Sequence, residues 1–273
     1  MALTLDYKPD GKTLAAYKAT RTTDGDTPFV EMAIRMLSID APEVHYPGTS
    51  KPSKHDGALA KLGKALAGGA HPTIPKRLRE RLVHCLDDRA GTRQLEQGEK
   101  ASQAFTAMMD ARMKTASGKG KRRLFLRSSD EPFDDHGRLL AYASPSFTKE
   151  ELAAGADRRT FNLQMIEEGW AAPLVIFPSL PKKDDLALLR GAAKAARVGK
   201  KGIYGDEKTL AGYEFRYCVK VMLGQLELPE RWCADMETGK LWRPEEYLEV
   251  QPEDRLFIWD RDVERAKKAL GVG

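Results

Sequence analysis

A mixed α+β fold, with short strands ahead of and between amphipathic helices, is predicted by three observations. Apolar and polar residues alternate from Thr13 to Asp40 around the turn Thr23-Asp24-Gly25-Asp26-Thr27. Apolar stripes at helical spacing recur from Leu59 to Ala196, and short apolar runs at Leu124-Phe125-Leu126 and Leu139 to Ala143 lie among them. The 273 residues are 41% hydrophobic and 31% charged, which excludes a disordered, collagen-like or disulfide-scaffold protein.

In order along the chain, Ala15, Tyr17 and Ala19 begin an antiparallel meander that continues through Phe29 to Ile34 and Arg35 to Asp40 and is closed by Ala41-Pro42. Residues 48–98 differ in composition and read as a helical insertion. Leu59, Leu62 and Leu66 mark one helix in it, and Ile74, Leu78, Leu82, Cys85 and Leu86 a second. A helix from Glu99 to Met113 carries Ala101, Ala104, Phe105 and Met108 on one stripe. Two strands follow at 124–126 and 139–143, then a helix with Leu163, Ile166 and Trp170, and another from Pro181 with Asp184 and Asp185 at its positive end. After Gly205, Phe215, Tyr217, Val219 and Val221 alternate with polar residues and predict a strand. A turn at Thr238-Gly239, a strand at Leu256 to Trp259 and a helix from Asp262 to Leu270 with Gly271 past its end complete the chain. The organisation expected is a domain at 1–205 interrupted at about 48–98, and a small separate unit at 206–273.

Forty-five Lys and Arg against 40 Asp and Glu give a net charge of +5, a mild excess that suits a polyanionic partner. Basic clusters stand at Lys76 to Arg81, Lys119 to Arg123 and Lys194 to Lys201. The three cysteines form no CxxC pair and are expected as reduced, packed thiols. The opening Met1 to Asp10 has no basic and apolar signal pattern, and no run reaches the ~20 apolar residues of a membrane span. A cytoplasmic setting without a membrane partner is expected, or a secreted one if a leader was removed.

Chemistry gathers in three segments. Asp24-Gly25-Asp26-Thr27 and Asp40-Ala41-Pro42-Glu43 each sit where a strand gives way to a turn. Asp26, Asp40 and the Ala41 carbonyl could supply the oxygen ligands that Ca²⁺ takes at about 2.3–2.6 Å, leaving Glu43 for a second role. Asp134-Asp135-His136-Gly137-Arg138 places an arginine just beyond a glycine turn, and Arg35 holds a comparable strand position. Two planar guanidiniums beside carboxylates suit a phosphodiester, because each fork matches two phosphate oxygens. Read singly, the same residues also fit a hairpin turn, surface carboxylates and structural ion pairs.

Asp24 to Thr27, Arg35 to Glu43 and His136 to Tyr142 resemble, in order, the three signature segments of the staphylococcal nuclease family, and Gly98 to Met109 and Asn162 to Ala171 resemble its first two helices. The resemblance implies an OB-type five-stranded barrel with packed helices. It also implies a calcium-dependent endonuclease acting on DNA and RNA and leaving 3′-phosphates; single strands are the expected preference, because a barrel-face cleft must reach the sugar-phosphate chain of a splayed strand. By motif position it implies Asp26, Asp40 and the carbonyl of Ala41 as calcium ligands, Glu43 as general base, and Arg35 and Arg138 on the phosphate. The family's Lys-Tyr pair before Gly-Arg is Asp135-His136 here, and its two pocket tyrosines are replaced by Val175 and Phe177. The alternative of a different class is an OB-fold module that holds single-stranded nucleic acid without cutting it.

Overall fold

The computed structural model describes residues 14–115, 118 and 120–273, with the backbone alone at 129–131. Met1 to Asp10, Thr13 and Lys119, on which expectations above fall, lie outside the described residues. Strands β1 (Lys18–Thr22), β2 (Pro28–Glu31), β3 (Ile34–Met36) and β4 (Ser38–Asp40) are followed by helices α1 (Asp56–Ala67), α2 (Lys76–Cys85) and α3 (Ala90–Arg112). Then come β5 (Leu124–Phe133), β6 (Leu139–Pro145), α4 (Lys149–Ala153), α5 (Phe161–Glu167), β7 (Ala172–Ile176) and α6 (Lys183–Val198). The chain ends with α7 (Gly212–Met222), β8 (Arg231–Asp235), β9 (Leu241–Trp242), β10 (Arg255–Trp259) and α8 (Val263–Leu270).

Three sheets result, ordered β1-β2, β3-β6-β5 and β4-β7-β10-β8-β9. The expected meander is therefore corrected: β1 and β2 pair with each other, but β3 runs parallel to β6 and β4 antiparallel to β7. Among the described residues the strands form no closed five-stranded barrel. The chain changes sheets at Leu37-Ser38, a strand corner of the kind that joins packed sheets. Ser38 takes the left-handed backbone there (φ 61°), and its hydroxyl lies 2.7 Å from that of Tyr142. Buried Asn162 on α5 holds the corner: its amide nitrogen donates to the carbonyls of Leu37 (2.8 Å) and Ala141 (3.3 Å), and its oxygen accepts from Ala143 N–H (3.0 Å).

The second correction concerns Phe215 to Val221, which lie on helix α7 and not on a strand. Tyr213, Phe215, Tyr217, Cys218, Val219 and Val221 are all buried. A helix with apolar groups nearly all round loses the stripe that marks period 3.6, and the remaining alternation imitates a strand. Residues 206–273 also do not stand apart. β10, β8 and β9 continue the sheet begun by β4 and β7, and α7 shares one hydrophobic core with α1, α2 and β7.

Sheet parity decides what each face meets. Ala172, Leu174, Cys233 and Phe257 point into the core with the insertion and α7, whereas Val175, Ala234, Leu256 and Ile258 point to the opposite core with Leu189 of α6 and Ala266 of α8. Asp40 pairs with Ala172, and its side chain faces α7. All three cysteines are buried free thiols, and no described helix is long and apolar enough to cross a membrane.

Asn162→Ala should cost about 2–4 kcal/mol, since it strands buried backbone groups that each carry a desolvation penalty of about 1–3 kcal/mol. Urea unfolding with an unchanged slope would measure it; a loss under about 1 kcal/mol would show that the corner does not depend on this amide.

Candidate active site

Asp40 closes β4, buried Pro42 stops the strand, and Glu43 follows on the turn. This turn is seated on α3. A side chain at Gly98 would meet the Pro42 carbonyl oxygen at 2.9 Å, so only glycine allows the approach. Buried Gln94, one turn earlier, has its amide between Glu43 N–H and the Leu210 carbonyl; with the amide oxygen set toward the donor it accepts from Glu43 N–H at 2.9 Å and donates to Leu210 at 3.1 Å. The helix that opens before residue 98 thus fixes the direction of Glu43.

Arg35 rises from β3 opposite Leu140 of β6, one residue beyond which the register brings Met36 to Ala141. Arg138 leaves the turn at Gly137 (φ 72°), where an added Cβ would meet Ala15 N at 2.6 Å. Asp134 accepts from the backbone N–H groups of His136 and Arg138, both at 2.9 Å, and from Arg138 Nε at 2.8 Å. Those bonds, working against burial, hold the Asp134 carboxyl below its usual value.

A third guanidinium completes the cluster, and sequence reasoning missed it. Arg216 on α7 donates one nitrogen to Glu43 Oε1 and the other to Asp40 Oδ1 at 2.9 Å. Arg35 approaches the same Asp40 oxygen at 3.9 Å. The side chains of Asp40, Glu43 and Arg216 are 3%, 22% and 21% exposed. Burial works against the Arg216 charge, but Asp40 and Glu43 outweigh it and hold its pKa above the ordinary value. Burial pushes the Glu43 carboxyl upward, and Arg216 offsets only part of that. Burial lowers Arg35, with Arg138 and Arg216 adding repulsion that Asp40 opposes. The five groups therefore feel one another directly.

Arg35, Arg138, Arg216 and Glu43 line a cleft of about 620 Å³, with Asp40 buried behind Arg216, and its other wall is built by Tyr213, Arg231 and Trp259 of the C-terminal segment. Asp135, His136 and Phe177 also line it, while Val175 is buried on the opposite face of β7. Asp26 does not join them. It sits at the tip of the exposed β1-β2 hairpin, accepting from the Thr27 hydroxyl at 3.1 Å, and does not line the cleft. The Ala41 carbonyl is turned toward α7.

The profile of the staphylococcal nuclease homologue family matches residues 33–206. The chain belongs to that family. No curated protein matches the chain. Arg35, Asp40, Ala41, Glu43 and Arg138 fall within the family segment, whereas Asp26 precedes it and Gly212, Arg216 and Arg231 follow it.

The calcium ion that the family resemblance implies does not fit this arrangement. Calcium takes six to eight oxygen ligands, and the described residues contain no group of three His, Cys, Asp or Glu side chains able to hold an ion. Asp40 Oδ1 and Glu43 Oε1 are engaged by Arg216. Among the described residues Asp40 Oδ2 is buried with no hydrogen-bond partner, yet it and the Ala41 carbonyl oxygen converge on Gly212, where an added Cβ would stand 2.6 Å from each. The backbone of α7 stands against the two oxygens.

The signal that could have found Arg216 is the spacing Gly212, Arg216, Lys220. These three lie at i, i+4 and i+8 on one helix face, and both side-chain-bearing members line the cleft.

Arg216→Met should destabilise the protein by about 3–5 kcal/mol at neutral pH, because it leaves buried carboxylates unpaired. Removing the guanidinium raises the folded-state pKa of Glu43 further above its unfolded value. Such a group binds its proton more readily when folded, so its contribution is present at low pH and lost as pH rises through the folded value. The deficit of Arg216→Met should therefore shrink on acidification, read by urea unfolding across the acidic to neutral range. A deficit independent of pH would place its origin in packing.

Proposed function

We propose that the chain is a nuclease that hydrolyses phosphodiester bonds of DNA and RNA, cutting single strands faster than duplex. One observation carries the reading: Arg35, Arg138 and Glu43 face one cleft, with Asp40 buried behind Arg216. Arg35 makes no hydrogen bond among the described residues, so its fork is free for phosphate oxygens. Glu43 spends Oε1 on Arg216, and among the described residues Oε2 has no hydrogen-bond partner.

In this reading Arg35 and Arg138 hold the phosphate, and Glu43 accepts a proton from water as the water oxygen bonds to phosphorus. The bond to the 5′-oxygen of the next sugar breaks, that oxygen takes up a proton, and a 3′-phosphate remains. No step passes through a metal. A splayed single strand reaches the floor of such a cleft more readily than a paired one.

A second reading, binding of single strands without cleavage, is favoured by the ion pairs of Arg216 with Asp40 and Glu43, which engage an oxygen of each carboxylate. Incubation of single-stranded DNA, duplex DNA and RNA with Ca²⁺ or with chelator separates the two. Cutting in chelator supports hydrolysis by the side chains alone. Cutting with Ca²⁺ only would mean that Arg216 yields its place to the ion and Asp26 is drawn in. Retained binding with no cutting in either buffer would establish the binding module.

Glu43→Gln should lower kcat by ~10²–10⁴-fold, the usual contribution of general-base catalysis, with little change in substrate affinity. An unchanged kcat would remove Glu43 from the chemistry. Arg35→Lys should also lose much of the rate, because an ammonium keeps the charge without the bidentate fork; steady-state kinetics at wild-type levels would make Arg35 structural.

A further inference from the structure

Arg231 lies outside the family segment and is the guanidinium of the cleft that nothing in the fold accounts for. It begins β8, directly opposite Trp259 of β10, so the two side chains share one face of the sheet, with Phe257 two residues along the same face. Its guanidinium carbon stands 5.1 Å from the Trp259 ring centre and 5.3 Å from that of Phe257. Among the described residues it has neither a hydrogen-bond nor an ion-pair partner, unlike Lys220, which reaches Glu230 at 2.7 Å in the same cleft. Burial and the nearby Arg216 both disfavour its charge, with Asp40 opposing them.

An arginine packed against two aromatic rings, unpaired and repelled by a neighbouring arginine, is a costly arrangement for a protein at rest. Cation–π contact offsets part of it but spends none of the five N–H donors. Arg231 lines the cavity that also holds Arg35 and Arg138. An anion entering the cleft would relieve the repulsion and satisfy the fork together.

We propose that Arg231, positioned by Trp259 and Phe257, forms a second phosphate subsite of the cleft, which takes a neighbouring phosphate of the same nucleic-acid strand. This rests on the reading of the cleft as a nucleic-acid site. It assigns the C-terminal segment a role in the length of strand engaged, with Arg35 and Arg138 on one phosphate and Arg231 on another.

The test is equilibrium binding of a fluorescein-labelled single-stranded oligothymidylate to the full chain in chelator, followed by anisotropy over a range of salt. Arg231→Gln should weaken binding about tenfold, equivalent to ~1.4 kcal/mol. It should also reduce the slope of log K against log salt by about 0.7, the value of one phosphate contact on a single strand. Arg231→Lys should keep the slope while binding more weakly than wild type, which guards against a folding defect in the glutamine variant. Unchanged affinity and slope in Arg231→Gln, beside a wild-type protein that binds, would overturn the subsite and leave the reading of the cleft intact. Lost affinity with an unchanged slope would also overturn it, since the loss would then come from packing. A wild-type chain that fails to bind the oligonucleotide would remove the nucleic-acid reading, and the subsite with it.

Discussion

A carboxylate buried at the end of a strand must have a counter-charge, and the pairing of Asp40 with Arg216 is the constraint around which the additions to this chain are arranged. Uncompensated, a buried charge of this kind costs several kcal/mol. Arg216 can reach it only if α7 lies across the face of β4 and β7, and α7 is fixed there in turn. Buried Glu214 accepts from Arg81 of α2 at 3.4 Å, from the Tyr247 hydroxyl at 3.0 Å and from Ala211 N–H at 3.1 Å. Arg81 also reaches the Thr209 carbonyl at 2.8 Å. The insertion therefore holds the helix that holds the carboxylates.

The same sheet explains why residues distant in sequence meet in one cleft. β7 pairs with β4 on one side and with β10 on the other, and its parity puts Asp40, Leu174 and Phe257 toward α7. Trp259 and Arg231 follow by register. A family segment ending at residue 206 supplies one wall, and strands that continue its sheet supply the other. The insertion and the C-terminal segment are thus structural parts of the site, joined through a common core.

How much of this could be read from residues alone depended on whether the cause was local. Leu59 to Leu66 and Leu78 to Cys85 show single apolar stripes because α1 and α2 each bury one face, and both helices form where the stripes predict. The family segments were legible because a strand end, a proline stop and a glycine turn are local events. The pairing of β3 with β6 was not, because parallel partners about a hundred residues apart leave no mark in either strand. Helix α7 was hidden by burial on nearly every side. Asp26 illustrates the opposite limit: its motif is complete in sequence, but the hairpin that carries it makes contacts of its own and leaves it exposed.

The pairing of charges indicates which kind of ligand the cleft, as folded, is ready to receive. Its lining carries six basic and six acidic side chains, and Arg216 pairs with Asp40 and Glu43, Arg138 with Asp134 and Lys220 with Glu230. Among the described residues Arg231 and Arg35 make no hydrogen bond, so their donors can meet a phosphodiester. A divalent cation could take the oxygens that Asp40 and Glu43 give to Arg216 only if Arg216 first withdrew from both of its partners. Withdrawal would expose the cost that the Asp40 pairing now cancels, so an ion must supply at least that much in its own ligation. Anion binding at Arg35 and Arg231 asks for no such exchange.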